Sequence, residues 1–457
     1  MMIAPLILCW VAAVVWAPLN GRRWRVAWGA VVILAIAFVT SAWLTWDVVH
    51  NVSQEMVAGD WPAGIGIVLR LDALGALFTT LSLGVLLAAL AFEALGGVRS
   101  SSFPALILFL GAGLSGIFVT SDIFNFYVFF EIAMVSAYIL VGYGEERRQF
   151  RASVIFVLVN LLGSVFFLIG VAAIYHITGR LDMDGVAVQL ATAGEAPVLL
   201  SATLIFVAFS IKLGIFPFHF WLPAVYTGTR PAVAAVLSGA LANIGSYGLI
   251  RFGGQVLPRE LLRADLALLV LGSVSVIYGA IQAIGRRDIA EILAYSSIGQ
   301  VGYILIALAL APQIGYSAVI LFAVINAMNK TVLFLGEQLR GPIAGAIFFI
   351  GACSVAGLPP VAGFFGKAAL TRAALDDRQP ILVVLIVVGG ALSFVYMFQP
   401  FLRVFWAQSG GEQEHVSPLD RRLLVGVLAL LILAFGIWPQ PLLAVSDQAA
   451  AALGGLP

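Results

Sequence analysis

From the N-terminus onward, apolar runs of roughly twenty residues recur along almost the whole chain, each closed by glycine, proline or charge. A run of that length crosses a hydrocarbon core of about 30 Å as a helix. Punctuated in this way, hydropathy predicts fourteen spans, at 3–20, 26–46, 72–95, 104–120, 122–143, 152–177, 197–229, 231–252, 262–284, 289–311, 316–337, 342–376, 379–404 and 421–445. The expected fold is an all-α integral membrane protein. A β-barrel, which alternates apolar and polar positions, is excluded. The first run follows Met1 directly, lacks a basic leader and precedes Arg22, Arg23 and Arg25, so it is expected to be a span and not a cleaved signal.

Two spans are unusually long and interrupted. The seventh contains Pro217 and Pro223, and the twelfth contains Gly357, Leu358, Pro359 and Pro360. Proline lacks a backbone donor and clashes with the preceding turn, so both are expected to be broken helices. Unwound backbone at membrane depth survives only when buried in protein or lining water, which places a transport site near the midplane. Five spans separate the two breaks, so two halves related by repetition are expected to be inverted, although no internal sequence similarity marks them. Arginine clusters follow spans one (Arg22, Arg23, Arg25), five (Arg147, Arg148, Arg151), nine (Arg286, Arg287) and thirteen (Arg421, Arg422). The positive-inside rule assigns those loops to the cytoplasm and both termini to the outside.

Composition agrees with this pattern. The 457 residues are 62% hydrophobic and 10% charged, with a mean hydropathy of +1.06, against about 25% charged in soluble domains. The formal net charge of +1 offers no footprint for nucleic acid. Cys9 and Cys353 both sit inside apolar runs and read as small core residues, so no disulfide, metal site or redox cofactor is expected.

The candidate chemistry lies in the few intramembrane charges. All three lysines, Lys212, Lys330 and Lys367, fall inside predicted spans, whereas loops and span ends use arginine. Arginine does not release its proton in a protein, but a lysine withdrawn from water can. Glu131 is the fourth such charge, nine residues into span five. A charge at mid-bilayer costs roughly 2.5–3.5 kcal/mol on the insertion scale, so it needs a partner, water or a function. Ammonium and carboxyl groups of this kind can exchange a proton, which points to a relay along the protein interior. Each has a blander alternative. Glu131 with Lys212 also reads as a static ion pair, Lys330 as neutralised by Glu337 two turns on, Lys367 as snorkelling to an interface, and His219 as bonding carbonyls freed at Pro217. His50, His176 and His415 fall in loops or span ends and carry no signal.

Over roughly residues 60–405 the chain resembles the proton-conducting antiporter-like subunits shared by complex I, membrane-bound hydrogenases and Mrp-type Na⁺/H⁺ antiporters. The resemblance rests on Ser121-Asp-Ile-Phe-Asn-Phe-Tyr-Val-Phe-Phe-Glu131, Lys212-Leu-Gly-Ile-Phe-Pro-Phe-His-Phe-Trp-Leu-Pro223, Ala294-Tyr-Ser-Ser297, Asn329-Lys330-Thr-Val-Leu-Phe-Leu335 and Gly357-Leu-Pro-Pro-Val-Ala-Gly-Phe-Phe-Gly-Lys367. The Phe-Phe-Glu phrasing, the segment Trp61-Pro-Ala-Gly-Ile-Gly-Ile and the run Tyr175-His-Ile-Thr-Gly179 look most like the D-type member of the Mrp Na⁺/H⁺ antiporter subunits. The resemblance implies fourteen helices with broken seventh and twelfth members. Three N-terminal helices would occupy 1–103, one inverted five-helix repeat 104–252, a second 262–404, and a last helix 421–457. It implies Glu131 and Lys212 as a coupled pair, Lys330 as the central relay and Lys367 as the terminal residue. It further implies proton uptake coupled to Na⁺ efflux, without a cofactor, inside a hetero-oligomer of membrane subunits in a prokaryotic cell membrane.

The chain departs from that pattern in places. Asn243 stands where the eighth helix commonly carries Lys or His, Asn326 where His is frequent, and Ala224 where an acid usually follows Trp-Leu-Pro. Asparagine cannot hold a shuttled proton, so passage from Lys212 to Lys330 would need water or another route. The Arg340 to Ile343 connection is short, and the lateral helix that some relatives append is not expected after position 445. Two rival functions are an antiporter-like component of a redox-driven, complex-I-like pump and a scaffold that has lost conduction.

Overall fold

The computed structural model describes residues 1–61, 66–144, 146–310, 312–406 and 417–453. His415 and most of the 61–67 segment lie outside the described residues. The chain runs through α1 (Ala4–Trp16) and α2 (Trp24–His50) into an antiparallel hairpin of β1 (Gln54–Val57) and β2 (Val68–Leu71), then α3 (Ala73–Gly96), α4 (Phe103–Val119), α5 (Ile123–Val141) and α6 (Arg147–Thr178). A short α7 (Met183–Leu190) precedes α8 (Glu195–Leu213) and α9 (Trp221–Gly228); α10 (Pro231–Val236) and α11 (Asn243–Arg251) form one stretch with a π turn between them. There follow α12 (Pro258–Arg263), α13 (Asp265–Ile284), α14 (Ile289–Ala309), α15 (Pro312–Gly336), α16 (Pro342–Ala356), α17 (Ala362–Asp376), α18 (Pro380–Phe401), α19 (Leu419–Ile437) and α20 (Gln440–Ala451).

Among the described residues ten helical stretches are long and apolar enough to cross a membrane, while α1, α4 and α16 are apolar but shorter. The chain is therefore a mostly helical membrane protein. The structure also corrects the last predicted span: 421–445 is not one helix, because α19 ends at Ile437 and α20 leaves it at 80°. Pro439 and Pro441 cause this, since neither can donate to the preceding turn. The hairpin, α7 and α12 are absent from the hydropathy reading, being too short or too polar to show in a twenty-residue window.

Local chemistry sets the helix ends. Asp72 accepts from the Gly75 amide at 2.8 Å, and Asp122 accepts from the Phe124 and Asn125 amides at 2.9 and 2.7 Å, so each carboxylate takes up donors orphaned at a helix start. Gly214 (φ 67°) and Gly357 (φ 82°) adopt the left-handed conformation that stops α8 and α16. These are the two expected breaks, 214–220 and 357–361. At each, a side chain of the following segment takes a freed carbonyl: Trp221 Nε1 donates to Ile211 O at 3.1 Å, and Lys367 Nζ to Ala356 O at 2.9 Å.

Small residues bring helices together where lipid offers no hydrophobic drive for their association. A Cβ on Gly272 would sit 2.7 Å from Gly302 O, so α13 and α14 pack backbone to backbone. The α10–α11 stretch, α14 and α15 are nearly enclosed by neighbours, whereas α2, α6, α13 and α18 turn apolar side chains outward.

At the face carrying the hairpin, a charged network descends from the surface. Arg70 pairs with Glu55 and Asp184, and Gln255 donates through Nε2 to Asp184 and accepts through Oε1 from Arg251, which bonds buried Asp72 at 2.7 Å. Arg251 Nε also reaches Tyr247, whose hydroxyl donates to Phe118 O. Removing one member of a buried pair strands the other charge. Arg251→Met is therefore expected to destabilise the protein by about 3–5 kcal/mol, with much of that regained in Asp72→Asn/Arg251→Met; thermal unfolding in detergent is the measurement. Arg70 bonding holds the Asp184 carboxyl below the usual carboxylate range. A carboxyl depressed on folding contributes stability above its unfolded pKa of about 4 and loses it as pH falls through the lower folded value. Protection of residues 54–57 and 68–71 in hydrogen exchange should accordingly weaken below about pH 4, and Asp184→Asn should show that weaker protection at neutral pH.

Candidate functional site

Glu131 lies on α5, half-buried, and accepts a hydrogen bond from Ser164 Oγ on α6. One turn along α6, Asn160 commits its amide nitrogen to Phe156 O at 2.9 Å, which leaves Oδ1 to accept from Lys212 Nζ at 3.2 Å. Lys212, in the last turn of α8, also meets Met134 Sδ and lies over the rings of Phe130 (5.6 Å) and Phe156 (5.3 Å). Positions four apart share a helix face, so α6 holds the donor to Glu131 and the acceptor from Lys212 about 6 Å apart along its axis. The pair is not a direct ion bridge: among the described residues no hydrogen bond or ion pair joins the two groups, although Glu131 is near enough to act electrostatically on Lys212. The static alternative would therefore act through Ser164 and Asn160 and not through a contact bridge.

Lys330 is fully buried on α15. Its ammonium donates to Leu293 O at 3.1 Å and Ser296 Oγ at 2.9 Å, both on α14. It does not reach Glu337, whose Oε2 is buried without a partner, so the neutralisation reading fails. From Ser296 the polar chain continues to Tyr396 OH at 3.1 Å and on to Ser393 Oγ at 3.0 Å on α18, with Gln300 Nε2 at 3.4 Å from the same hydroxyl. Ser393 in turn donates to Gly389 O at 2.7 Å.

That chain ends beside Lys367. A Cβ on Gly390 would lie 3.4 Å from Lys367 Nζ, and one on Gly389 would strike Tyr303 OH, so the two glycines admit both head groups. Lys367 lies over the Tyr303 ring at 5.2 Å, and the Tyr303 hydroxyl is buried without a partner. Lys367 is 8% exposed and bonds Ala356 O, so it caps the end of α16 and does not snorkel. A cavity of about 690 Å³ leads from it past Thr371 to Arg372 and Asp376.

His219 stands in the single 3₁₀ turn Phe218–Phe220 between α8 and α9, its ring against Tyr278 (centroids 4.5 Å apart). Its Nδ1 is buried without a partner and takes no freed carbonyl, contrary to the bland expectation. Asn243 donates to Gly239 O at 2.9 Å and Ser82 Oγ at 3.2 Å. Among the described residues no direct hydrogen bond links it to Lys212 or Lys330. The structure thus joins Lys330 through Ser296 and Tyr396 to Ser393, sets Lys367 beside Gly390 on the same helix as that serine, and gives Glu131 and Lys212 partners on adjacent turns of α6.

Sequence reading missed Tyr396, Ser393, Gly389, Gly390 and Tyr303. The signal was present: Gly389-Gly-Ala-Leu-Ser393-Phe-Val-Tyr396 puts small and polar residues at helical spacing inside an apolar span. It missed the Arg251–Asp72 pair as well, because both residues lie at span ends where charge is ordinary.

A family profile described as NADH:quinone oxidoreductase/Mrp antiporter, transmembrane, matches residues 120–340 and 337–393. The chain is 32% identical over 438 residues to the D subunit of the Na⁺/H⁺ antiporter of Alkalihalophilus pseudofirmus, covering 90% of this chain and 89% of that relative. Its fold is similar to a chain of the Mrp complex from Dietzia sp., with a TM-score of 0.90, 26% identity and coverage of 99% and 98%. It is also similar to a chain of the membrane-bound sulfane sulfur reductase, an archaeal respiratory membrane complex, with a TM-score of 0.88, 26% identity and coverage of 99% and 97%.

The Tyr396 hydroxyl is the middle link between Ser296 and Ser393, and Tyr396→Phe keeps the ring while deleting that link. Thermal unfolding in detergent should shift by no more than about 1.5 kcal/mol, the worth of one buried hydrogen bond.

Proposed function

The chain belongs to the NADH:quinone oxidoreductase/Mrp antiporter transmembrane family, and on that premise we propose that it is the proton-translocating subunit of a Mrp-type monovalent cation/proton antiporter, with Na⁺ as the exchanged cation. The observation that carries this reading is the buried line Lys330–Ser296–Tyr396–Ser393, which ends beside Lys367 and its cavity. In this reading Glu131 and Lys212 load a proton, Lys330 receives it past Asn243, and the hydroxyls hand it to Lys367. Each hydroxyl both donates and accepts, so a proton entering at one oxygen can leave at the other face. His219, with its free ring nitrogen beside the first break, is a secondary proton-handling group.

The reading includes fourteen crossings and two inverted five-helix halves over 104–252 and 262–404. It is supported by three short apolar helices and the bent α19–α20 pair beside the ten longer stretches, and by the similarly placed breaks. The arginine-rich loops then face the cytoplasm of a prokaryotic cell, both termini face outward, and other membrane subunits complete the assembly. A second reading, an antiporter-like component of a redox-driven complex, is favoured by the likeness to the sulfane sulfur reductase chain. Reconstitution with the partner subunits encoded beside it separates the two, since the antiporter exchanges Na⁺ for protons without an electron donor.

In such vesicles Lys212→Ala and Glu131→Ala are each expected to lower pH-gradient-driven cation exchange at least about a hundredfold, the scale on which positioned proton-transfer groups act, while the assembly still purifies intact. Wild-type rates in both variants would remove the relay.

A further inference from the structure

On the face bearing the arginine clusters, the ends of α3 and α15, the start of α6, the turn before α10 and the start of α19 enclose a cavity of about 220 Å³. Arg99, Arg148, Arg230 and Arg421 stand around it, with Glu93 and Glu146 as the carboxylates. Among the described residues, none of the four guanidinium groups makes an ion pair or a side-chain hydrogen bond. Arg230 lies over the Tyr143 ring at 5.4 Å and Arg421 over Phe92 at 4.6 Å, and the Nε–H of each is buried with no acceptor. The buried Glu93 carboxylate accepts from the Tyr143 hydroxyl at 3.0 Å, and Arg230, Arg421 and Arg99 act on it electrostatically without a hydrogen bond.

The backbone makes room for these groups. A Cβ on Gly96 would fall 1.2 Å from Arg421 Nη2, and one on Gly144 would fall 3.0 Å from Arg230 Nε. Four cations line the cavity against two carboxylates; Arg99, Arg148 and Glu146 are exposed, and Glu337 acts on Arg148 from outside the lining. Buried guanidinium donors without acceptors are costly, and an anion with several oxygens relieves that cost. Arginine forks suit the tetrahedral oxygens of phosphate, and the cavity is several times the roughly 30 Å³ share of one water. It also sits at the helix ends, at headgroup depth for a lipid of that leaflet.

We propose that this cavity binds a phosphate group, presented by an anionic phospholipid headgroup or by free phosphate, and that the bound anion ties α3, α6, α10 and α19 together at this face. The test uses the full chain with its membrane partners in phosphatidylcholine nanodiscs. One arm adds phosphatidylglycerol and reads retained lipid by native mass spectrometry; the other adds inorganic phosphate and reads the thermal shift. Retention without a phosphate shift assigns the lipid, and the converse assigns the free ion. In either arm Arg230→Gln/Arg421→Gln should weaken binding about tenfold or more, as expected for lost charged hydrogen bonds. Glu93→Gln, which removes a competing negative charge, should strengthen it severalfold. Absence of binding in both arms, equal binding in the arginine variant, or no gain in Glu93→Gln overturns the proposal. The glutamate variant decides the matter if the arginine variant fails to fold.

Discussion

Everything in this molecule turns on how three ammonium groups survive without water. An ion withdrawn from solvent must be compensated by charge, by dipoles or by losing its proton. Lys212 has the Asn160 amide oxygen and two ring faces, Lys330 a backbone carbonyl and a serine hydroxyl, and Lys367 the end of α16 and the Tyr303 ring. None of the three is bonded to a carboxylate among the described residues. Neutral acceptors suit a group that must be tolerated both with and without its proton, whereas a contact ion pair favours one state strongly.

Arg251 shows the opposite solution. It too is buried, but it is bonded to Asp72 and enclosed by Tyr247 and Gln255. That network reaches up through Asp184 and Arg70 to the hairpin, so it acts as a clamp across α3, α7, α11 and β2. Arginine, which keeps its charge, sits where it clamps helices together, and lysine, which can lose its proton, sits where neutral acceptors surround it. The helix breaks serve the same end, since each exposes carbonyls that only a donor inside the protein can satisfy, and at the second break that donor is Lys367 itself.

The sequence by itself determined the class of fold, the positions of most helices and the placement of the four charges within apolar helices. Hydropathy over twenty residues and the conformational limits of proline and glycine are local properties, and Gly214, Pro217, Gly357 and Pro359 act on their own segments whatever surrounds them. Partnerships are not local. The α14–α18 contact placed Tyr396 against Ser296, Gly389 and Gly390 opened space for Tyr303 and Lys367, and the turn of α15 carried Lys330 away from Glu337. A hydrogen bond depends on atoms placed within about 3 Å from helices far apart in the chain, so only the packing of those helices could decide it.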